Sequence, residues 1–257
     1  MAQGVGFGKY GTGAAALAGV TGWLRKNFYL TMALAIVAIV FYGFSQTFEP
    51  NLAHPPYPRP WILYVHATVF PLWILLFLTQ TTLVRLGRLG LHRAVGPFGL
   101  ALGALLPIVA ISTALVMDRL HAAHGEEPYF YPAFFIVHIN DEIAFIALIG
   151  LAALLRKNYA FHSRLMFASA CILMDAPFSR FPAFQARPFA ITLAISYACV
   201  DVLILCGVAR DWLLEKRPHA VYRFALPAVA AGQVITTTLF WTAPPWWLAV
   251  SHRIIGA

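Results

Sequence analysis

Long apolar runs, separated by short polar segments, follow one another along most of the chain. A helix needs about 20 mostly apolar residues to cross the hydrocarbon core of a membrane. Seven runs reach that length: Phe28–Phe48, Trp61–Val84, Ala94–Met117, about Tyr129–Leu155, about His162–Phe181, about Phe189–Val208 and about Phe224–Val250. The pattern therefore predicts an all-α, polytopic transmembrane helical bundle of about seven spans.

Glycine and proline residues near the two ends of the chain refine this prediction. Residues 1–24 are rich in glycine, which predicts a flexible N-terminal tail ahead of a single transmembrane domain at 25–257. Pro244 and Pro245 fall inside the seventh run, so this helix is expected to break near its end. Trp246 and Trp247 follow directly and are expected at the membrane interface.

The composition agrees with a lipid environment. Hydrophobic residues make up 60% of the 257 residues and charged residues 11%, and the mean hydropathy is +0.73. Soluble domains carry about a quarter charged residues, so most of this surface is expected to face the lipid bilayer. The net charge of +8 lies in short loops without interleaved aromatic residues, which argues against a nucleic-acid partner.

Lysine and arginine are divided unequally between alternate loops. Thirteen of the 18 fall in one set of segments and five in the other. The smaller set is Arg59, Arg119, Arg180, Arg187 and Arg253. Because basic loops stay in the cytoplasm, the sequence predicts a multi-pass protein of the cell inner membrane with its N-terminus inside and its C-terminus outside.

Four histidines stand at comparable places in consecutive spans, in a pattern that predicts an internal repeat. His66 and His92 are 26 residues apart, and His138 and His162 are 24 apart. In each pair an apolar helix leads through a basic loop to a second histidine followed closely by arginine. Helix direction places His66 and His138 in the outer half and His92 and His162 at the inner face.

Imidazoles from two facing helices can hold a haem iron in a helical bundle. We therefore consider haem b as a cofactor bound by His66 with His138, by His92 with His162, or by both pairs. Four arginines could pair with the haem propionates at the inner face. They are Arg85, Arg88, Arg93 and Arg164.

One histidine on each of four consecutive spans, paired second with fourth and third with fifth, resembles the cytochrome b561 family. That resemblance implies two b haems, electron transfer across a membrane, and a quinone or another redox partner. Two motifs, Leu91-His92-Arg93 with Gly96 and His162-Ser163-Arg164-Leu165-Met166, are similar to signatures of uncharacterised bacterial multi-span proteins. This second resemblance spans the second to fifth runs and implies a fold.

A second group of candidate residues is acidic. Asp141, Asp175 and Asp201 each lie about 12–14 residues into a span, which at 1.5 Å per residue is roughly 20 Å and near the midplane. Ionisable groups at that depth usually face the bundle interior and often mark function, so these three are the candidate catalytic or proton-relaying residues. Structural roles, such as a buried histidine or a protonated aspartate bonded within the bundle, are the alternative for each residue.

The leading hypothesis is a haem b electron-transfer protein or membrane oxidoreductase. A second is a metal-dependent hydrolase, in which His66, His138 and Asp141 hold a zinc or iron ion that activates water. The outer loop His121–Glu127, with two histidines and two glutamates, is a weaker metal candidate. A third hypothesis is a proton-coupled carrier, or an accessory subunit of a homo-oligomer or larger membrane complex.

Overall fold

The computed structural model describes residues 11–126 and 129–256, and within these ranges the chain forms helices joined by turns. A π-helical turn, Glu49–Ala53, follows the first helix. The α-helices are α1 Gly11–Phe48, α2 Trp61–Arg85, α3 Leu89–Ala123, α4 Phe130–Leu154, α5 Tyr159–Ile172, α6 Asp175–Phe178, α7 Pro182–Gln185, α8 Phe189–Glu215, α9 Ala220–Thr242 and α10 Pro245–Ile255.

Six of the described helices are long and apolar enough to cross a membrane, namely α1, α2, α3, α4, α8 and α9. They overlap six of the seven predicted runs. Helices α2 and α4 match their runs closely, whereas α1 begins at Gly11, well before the predicted Phe28, and α9 ends at Thr242, before the predicted Val250. The protein is therefore an all-helical integral membrane protein. Polar groups of the backbone are satisfied inside each helix, which is what the hydrocarbon requires.

The fifth predicted run is not one continuous helix. Helix α5 ends at Ile172, and the four-residue helix α6 begins at Asp175. Pro177 explains the interruption, because proline has no backbone N–H and its ring would clash with the carbonyl of Leu173 in a continuous helix. At the break the amide of Met174 donates instead to the carbonyl of Cys171, at 3.0 Å.

Both ends of the chain also differ from the sequence predictions. Helix α1 begins at Gly11, inside the segment predicted to be a flexible tail, while residues 1–10 lie outside the described range. At the other end, α9 stops at Thr242 and α10 starts at Pro245, as the proline pair predicts. Trp246 is exposed, whereas Trp247 is buried, and its indole N–H donates to the carbonyl of Ala133 in α4 at 3.2 Å.

The interrupted pair α5 and α6 occupies the middle of the bundle. It packs against α1, α4, α8 and α9. In α5 almost every residue from Arg164 to Ile172 is buried, whereas the long helices leave large apolar side chains exposed toward lipid. Close helix approach supports this packing: an added Cβ at Gly43 of α1 would clash with the backbone carbonyl of Pro177 just beyond the start of α6.

Two ends of the bundle can be distinguished by their turns. We call the end with the turns 86–88, 155–158 and 216–219 the basic end, because most lysines and arginines lie there. The opposite end holds the connections 54–60 and 186–188 and the break at 243–244.

Candidate functional site

Two aspartates that are far apart in sequence meet inside the bundle. Asp141 of α4 and Asp175, the first residue of α6, share a side-chain hydrogen bond. Asn140 donates from Nδ2 to Oδ1 of Asp141 at 3.1 Å, and the hydroxyl of Tyr197 in α8 donates to the same oxygen at 3.3 Å. A hydrogen bond between two carboxyl groups requires a proton on one of them.

An arginine completes the charge balance of the pair. Arg180 follows α6 and interacts electrostatically with Asp175 and with both His66 and His138. Its Nη1 donates to the carbonyl of Ala176, and its guanidinium carbon lies 4.6 Å from the ring centroid of Phe44 in α1. Arg180 is thus fixed in place between α1 and α6 while its charge acts on the acids and the histidines.

Glu142, the neighbour of Asp141, is also buried and interacts electrostatically with Asp175. Its Oε2 has no hydrogen-bond partner among the described residues. We call the group formed by these side chains the acid–histidine cluster. Its members are His66, His138, Asp141, Glu142, Asp175, Arg180 and Tyr197.

The two outer histidines belong to this cluster but do not stack on each other. His66 stacks on Phe70, with ring centroids 4.2 Å apart, and His138 meets Phe134 edge-on at 5.0 Å. The two imidazoles are close enough to interact electrostatically. Nδ1 of His66 is buried and has no partner within the described part of the chain, so it can still accept or donate a hydrogen bond.

Asp201, the third predicted acid, lies outside the hydrogen-bonded pair. Its side chain bonds with Gln233 of α9, and its Oδ1 has no partner among the described residues. Asp201 follows Tyr197 by four residues on α8, so the two share one helix face, with Asp201 a turn nearer the basic end. The predicted layer of three acids is therefore a pair plus a separate residue.

The two inner histidines are brought together as the repeat predicts. Each is the fourth residue of its helix, His92 in α3 and His162 in α5, and each follows a turn of three or four residues. Their ring centroids lie 6.3 Å apart at an interplanar angle of 74°. Nδ1 of His162 lies 2.9 Å from the carbonyl oxygen of Ala152. This contact fixes the ring and leaves Nε2 available for another ligand.

The predicted propionate arginines do not form one group around this histidine pair. Arg164 is buried and makes a two-pronged ion pair with Asp211 of α8, through Nε at 2.8 Å and Nη2 at 2.7 Å. Its Nη2 also donates to Glu215, at 2.6 Å, and Nε of Arg85 donates to Asn27 of α1 at 2.7 Å. Arg88 and Arg93 have no such partners in the described contacts.

Sequence reasoning missed three residues that shape these sites. Arg180 was counted as an outer loop residue, although an arginine beside an apolar run is itself a signal of an interior role. Tyr197 carried no signal, because tyrosine is common in membrane helices. Asp211 lies near the end of α8, where an acid looks like an ordinary interfacial residue, yet it is fully buried between Arg164 and Arg210.

The loop at the opposite end, His121–Glu126, forms a hydrogen-bonded latch instead of an open cluster of metal ligands. The hydroxyl of Tyr57 donates to Glu126 at 2.8 Å, and Nδ1 of His121 lies 2.7 Å from the other oxygen of Glu126. Hydrogen bonds from Tyr57 and then from His121 lower the pKa of Glu126. Glu127 lies outside the described residues.

The described side chains do not include a preformed metal site. In the described ranges no three or more histidine, cysteine, aspartate or glutamate side chains are arranged to hold a metal ion, so His66, His138 and Asp141 do not form a ready ligand set. No protein-family model, no curated protein and no solved structure matches this chain.

Proposed function

We propose that the protein is a proton-coupled membrane carrier, or a proton-conducting subunit of a membrane complex, whose proton-binding site is the Asp141–Asp175 pair. The observation that carries the proposal is the direct side-chain interaction between these two carboxyl groups, of which Asp175 is buried and Asp141 partly buried. Two ionised carboxylates in a poorly solvated bundle repel each other strongly, and sharing one proton removes that repulsion.

The charges around the pair support this role. One shared proton leaves the two aspartates with a single negative charge, which the positive charge of Arg180 offsets. Uptake or loss of one further proton upsets this balance and changes how strongly Arg180 is held. A proton that arrives or leaves therefore alters the contact between α6 and its neighbours, which is the coupling that a carrier needs.

The histidines supply a route from the opposite end to the pair. His66, His138 and Asp141 lie roughly 8, 12 and 17 Å along their helices from that end, at 1.5 Å per residue. The three groups thus lie at increasing depth from that end toward the pair, which is the order that a proton route requires. Glu142 and Asp201 are the acids nearest to the onward route toward the basic end.

The interrupted fifth segment is part of the same proposal. Helix α5 starts at the basic end and α8 starts at the opposite end, so Tyr159–Gln185 make a seventh, discontinuous crossing. Helices broken near the midplane are common at the binding sites of transporters. With the basic end in the cytoplasm, seven crossings put the N-terminus inside and the C-terminus outside an inner membrane.

Infrared spectroscopy of the purified protein tests the proton-binding pair directly. A shared proton gives a carboxyl C=O band that depends on both partners, so Asp141→Asn and Asp175→Asn should remove the same band. Asp201→Asn, the matched substitution at the separate acid, should leave it in place. An unchanged band in both pair variants would show that the two carboxyls do not share a proton.

Proton flux tests the function itself. In proteoliposomes with a potassium gradient and a potassium ionophore, the wild type should acidify or alkalinise the lumen faster than empty vesicles. Asp141→Asn and Asp175→Asn should lower this rate at least tenfold, because they remove the proton-binding group. Equal rates in wild type and both variants would refute the proton-coupled function.

A second candidate function, haem b electron transfer, is favoured by one specific observation. Two imidazoles that ligate one iron at about 2 Å have ring centroids roughly 6 Å apart, close to the spacing of His92 and His162. Gly96, one turn beyond His92, has open space where a Cβ would lie. His92 and His162 would hold the iron, Arg88 and Arg93 are the cations nearest in sequence, and the group would supply one-electron transfer to a quinone or another redox partner.

An absorption spectrum separates the two candidates. Detergent-purified protein, oxidised and then reduced with dithionite, should show b-type bands that His92→Ala and His162→Ala remove and His219→Ala retains. Loss of the bands in His66→Ala or His138→Ala would instead assign the haem to the outer pair. A colourless protein after expression with ample haem would exclude haem b and leave the proton-coupled function.

A further inference from the structure

A cleft at the basic end is lined by three cations. It lies between α1, α2 and the first residue of α5, and its volume is about 390 Å³. Arg25, Lys26 and Arg85 line it together with the polar side chains of Tyr29, Thr81 and Tyr159 and two aliphatic side chains. This volume falls in the range of small-molecule sites, roughly 300–1,000 Å³.

The cleft carries uncompensated positive charge. None of the described residues that line it is acidic, and no ion pair among the described residues includes Arg25, Lys26 or Arg85. Asn27 accepts a hydrogen bond from Nε of Arg85 at 2.7 Å, which fixes the guanidinium while its terminal nitrogens remain available. Three cations around one cavity repel one another, and a bound anion with several oxygens relieves that repulsion.

The position of the cleft indicates the source of the anion. Arg25 and Lys26 immediately precede the apolar run that begins at Phe28, and Arg85 is the last residue of α2. The cations therefore lie at the level where lipid headgroups meet the hydrocarbon. Basic pockets between transmembrane helices at this level bind the phosphates of anionic lipids.

From this geometry we propose that the cleft is a binding site for a phosphate group, supplied by the headgroup of an anionic phospholipid. The phosphate oxygens contact Arg25, Lys26 and Arg85, the hydroxyl group of Tyr29 donates to them, and the acyl chains follow the lipid-facing sides of α1 and α2. The site is separate from the acid–histidine cluster and independent of the proposed function.

The chain provides a matched control for the test. Arg25-Lys26 and Arg156-Lys157 are both adjacent arginine–lysine pairs at the basic end, and all four residues are exposed, but only the first pair lines the cleft. Full-length wild type, R25Q/K26Q and R156Q/K157Q are purified in neutral detergent and titrated with phosphatidylglycerol, phosphatidylcholine and inorganic phosphate. Native mass spectrometry counts the bound molecules.

We expect phosphatidylglycerol to bind the wild type and R156Q/K157Q with equal affinity, and phosphatidylcholine to bind both more weakly. Removing a cation near the surface costs roughly fivefold in affinity, so R25Q/K26Q should bind phosphatidylglycerol on the order of 25-fold more weakly. Equal weakening in both double variants would refute the site, since it would reflect net charge alone. Binding of inorganic phosphate but not of phosphatidylglycerol would refute the lipid source. Monodisperse elution of each variant controls for folding.

Discussion

Asp211 is a buried carboxylate that links three helices by hydrogen bonds. It accepts hydrogen bonds from Arg164 of α5 and Arg210 of its own helix α8, and from the backbone N–H of His219 at the start of α9. Both Arg164 and Asp211 are almost completely buried, at 3% and 0% exposure, so each depends on the other for charge compensation.

Substituting Asp211→Asn should therefore destabilise the protein by about 3 kcal/mol, because a buried arginine loses its compensating charge. The matched substitution Glu215→Gln removes the second carboxylate that contacts Arg164, but the side chain of Glu215 is 45% exposed. An exposed partner contributes less than about 1 kcal/mol. Unfolding in sodium dodecyl sulfate measures both variants. Equal destabilisation would contradict the special role of Asp211.

A pH-dependent contact is expected at Glu126, in the loop that follows α3. The pKa of Glu126 lies below its usual value of 4.5 because Tyr57 and His121 hydrogen-bond to the carboxylate. A group whose pKa is lower in the folded than in the unfolded protein stabilises the fold at any pH above the unfolded-state pKa. This stabilisation is lost as the pH falls through the folded-state pKa. The latch between Tyr57 and the end of α3 should therefore loosen only below pH 4.5.

A spin label at the exposed position Ala123 reports this loosening. In the wild type the label should become more mobile as the pH is lowered from about 6 to about 3. In Glu126→Gln it should already be mobile at the higher pH and change little. A label whose mobility does not depend on pH in either protein would show that Glu126 does not hold the loop.

Among the elements, α1 and the interrupted α5–α6 segment depend on close backbone approach. A Cβ at Gly43 would clash with the backbone of Pro177, and backbone cannot yield as a flexible side chain can. Gly43→Ala should therefore push α1 away from α6 and destabilise the protein by about 1–3 kcal/mol. It should also disturb Arg180, whose guanidinium lies over Phe44.

Gly22→Ala on the same helix is the matched control. A Cβ at Gly22 meets no atom within 4 Å, and alanine favours helix over glycine by up to about 1 kcal/mol. This variant should be neutral or slightly more stable in the same unfolding titration. Equal behaviour of the two glycine variants would show that α1 and α6 do not touch at Gly43.

At the scale of the whole molecule, the distribution of basic residues predicts which end faces the cytoplasm. A cysteine at Lys157 should resist an impermeant thiol reagent in intact cells, and one at Arg187 should react. The test requires a chain whose Cys171, Cys199 and Cys206 are replaced by alanine. Labelling at position 157 but not at 187 would reverse the proposed orientation. Labelling of both or neither position would contradict an odd number of crossings between them.

Much of the architecture could be predicted from the sequence because partition into lipid is a local property. A run such as Trp61–Val84 is apolar regardless of its neighbours, and the helix α2 found there, Trp61–Arg85, ends one residue later. The repeat that pairs His92 with His162 was also predictable, since both follow a short basic turn after an apolar helix. Pro177 lay within the fifth run, and its effect on the helix there follows from proline chemistry alone.

Contacts between distant helices were decided only by the tertiary structure. Lipid-facing and interior sides of a membrane helix are both apolar, so the sequence does not mark which way Asp141, Asp201 or His66 points. Packing brought Asp141 next to Asp175, whereas Asp201 bonds with Gln233 instead. Arg164 forms its ion pair with Asp211 and does not point at the histidine pair. The sequence by itself determined a membrane-embedded helical bundle with buried acids and histidines, and helix rotation and packing determined which of those groups lie against one another.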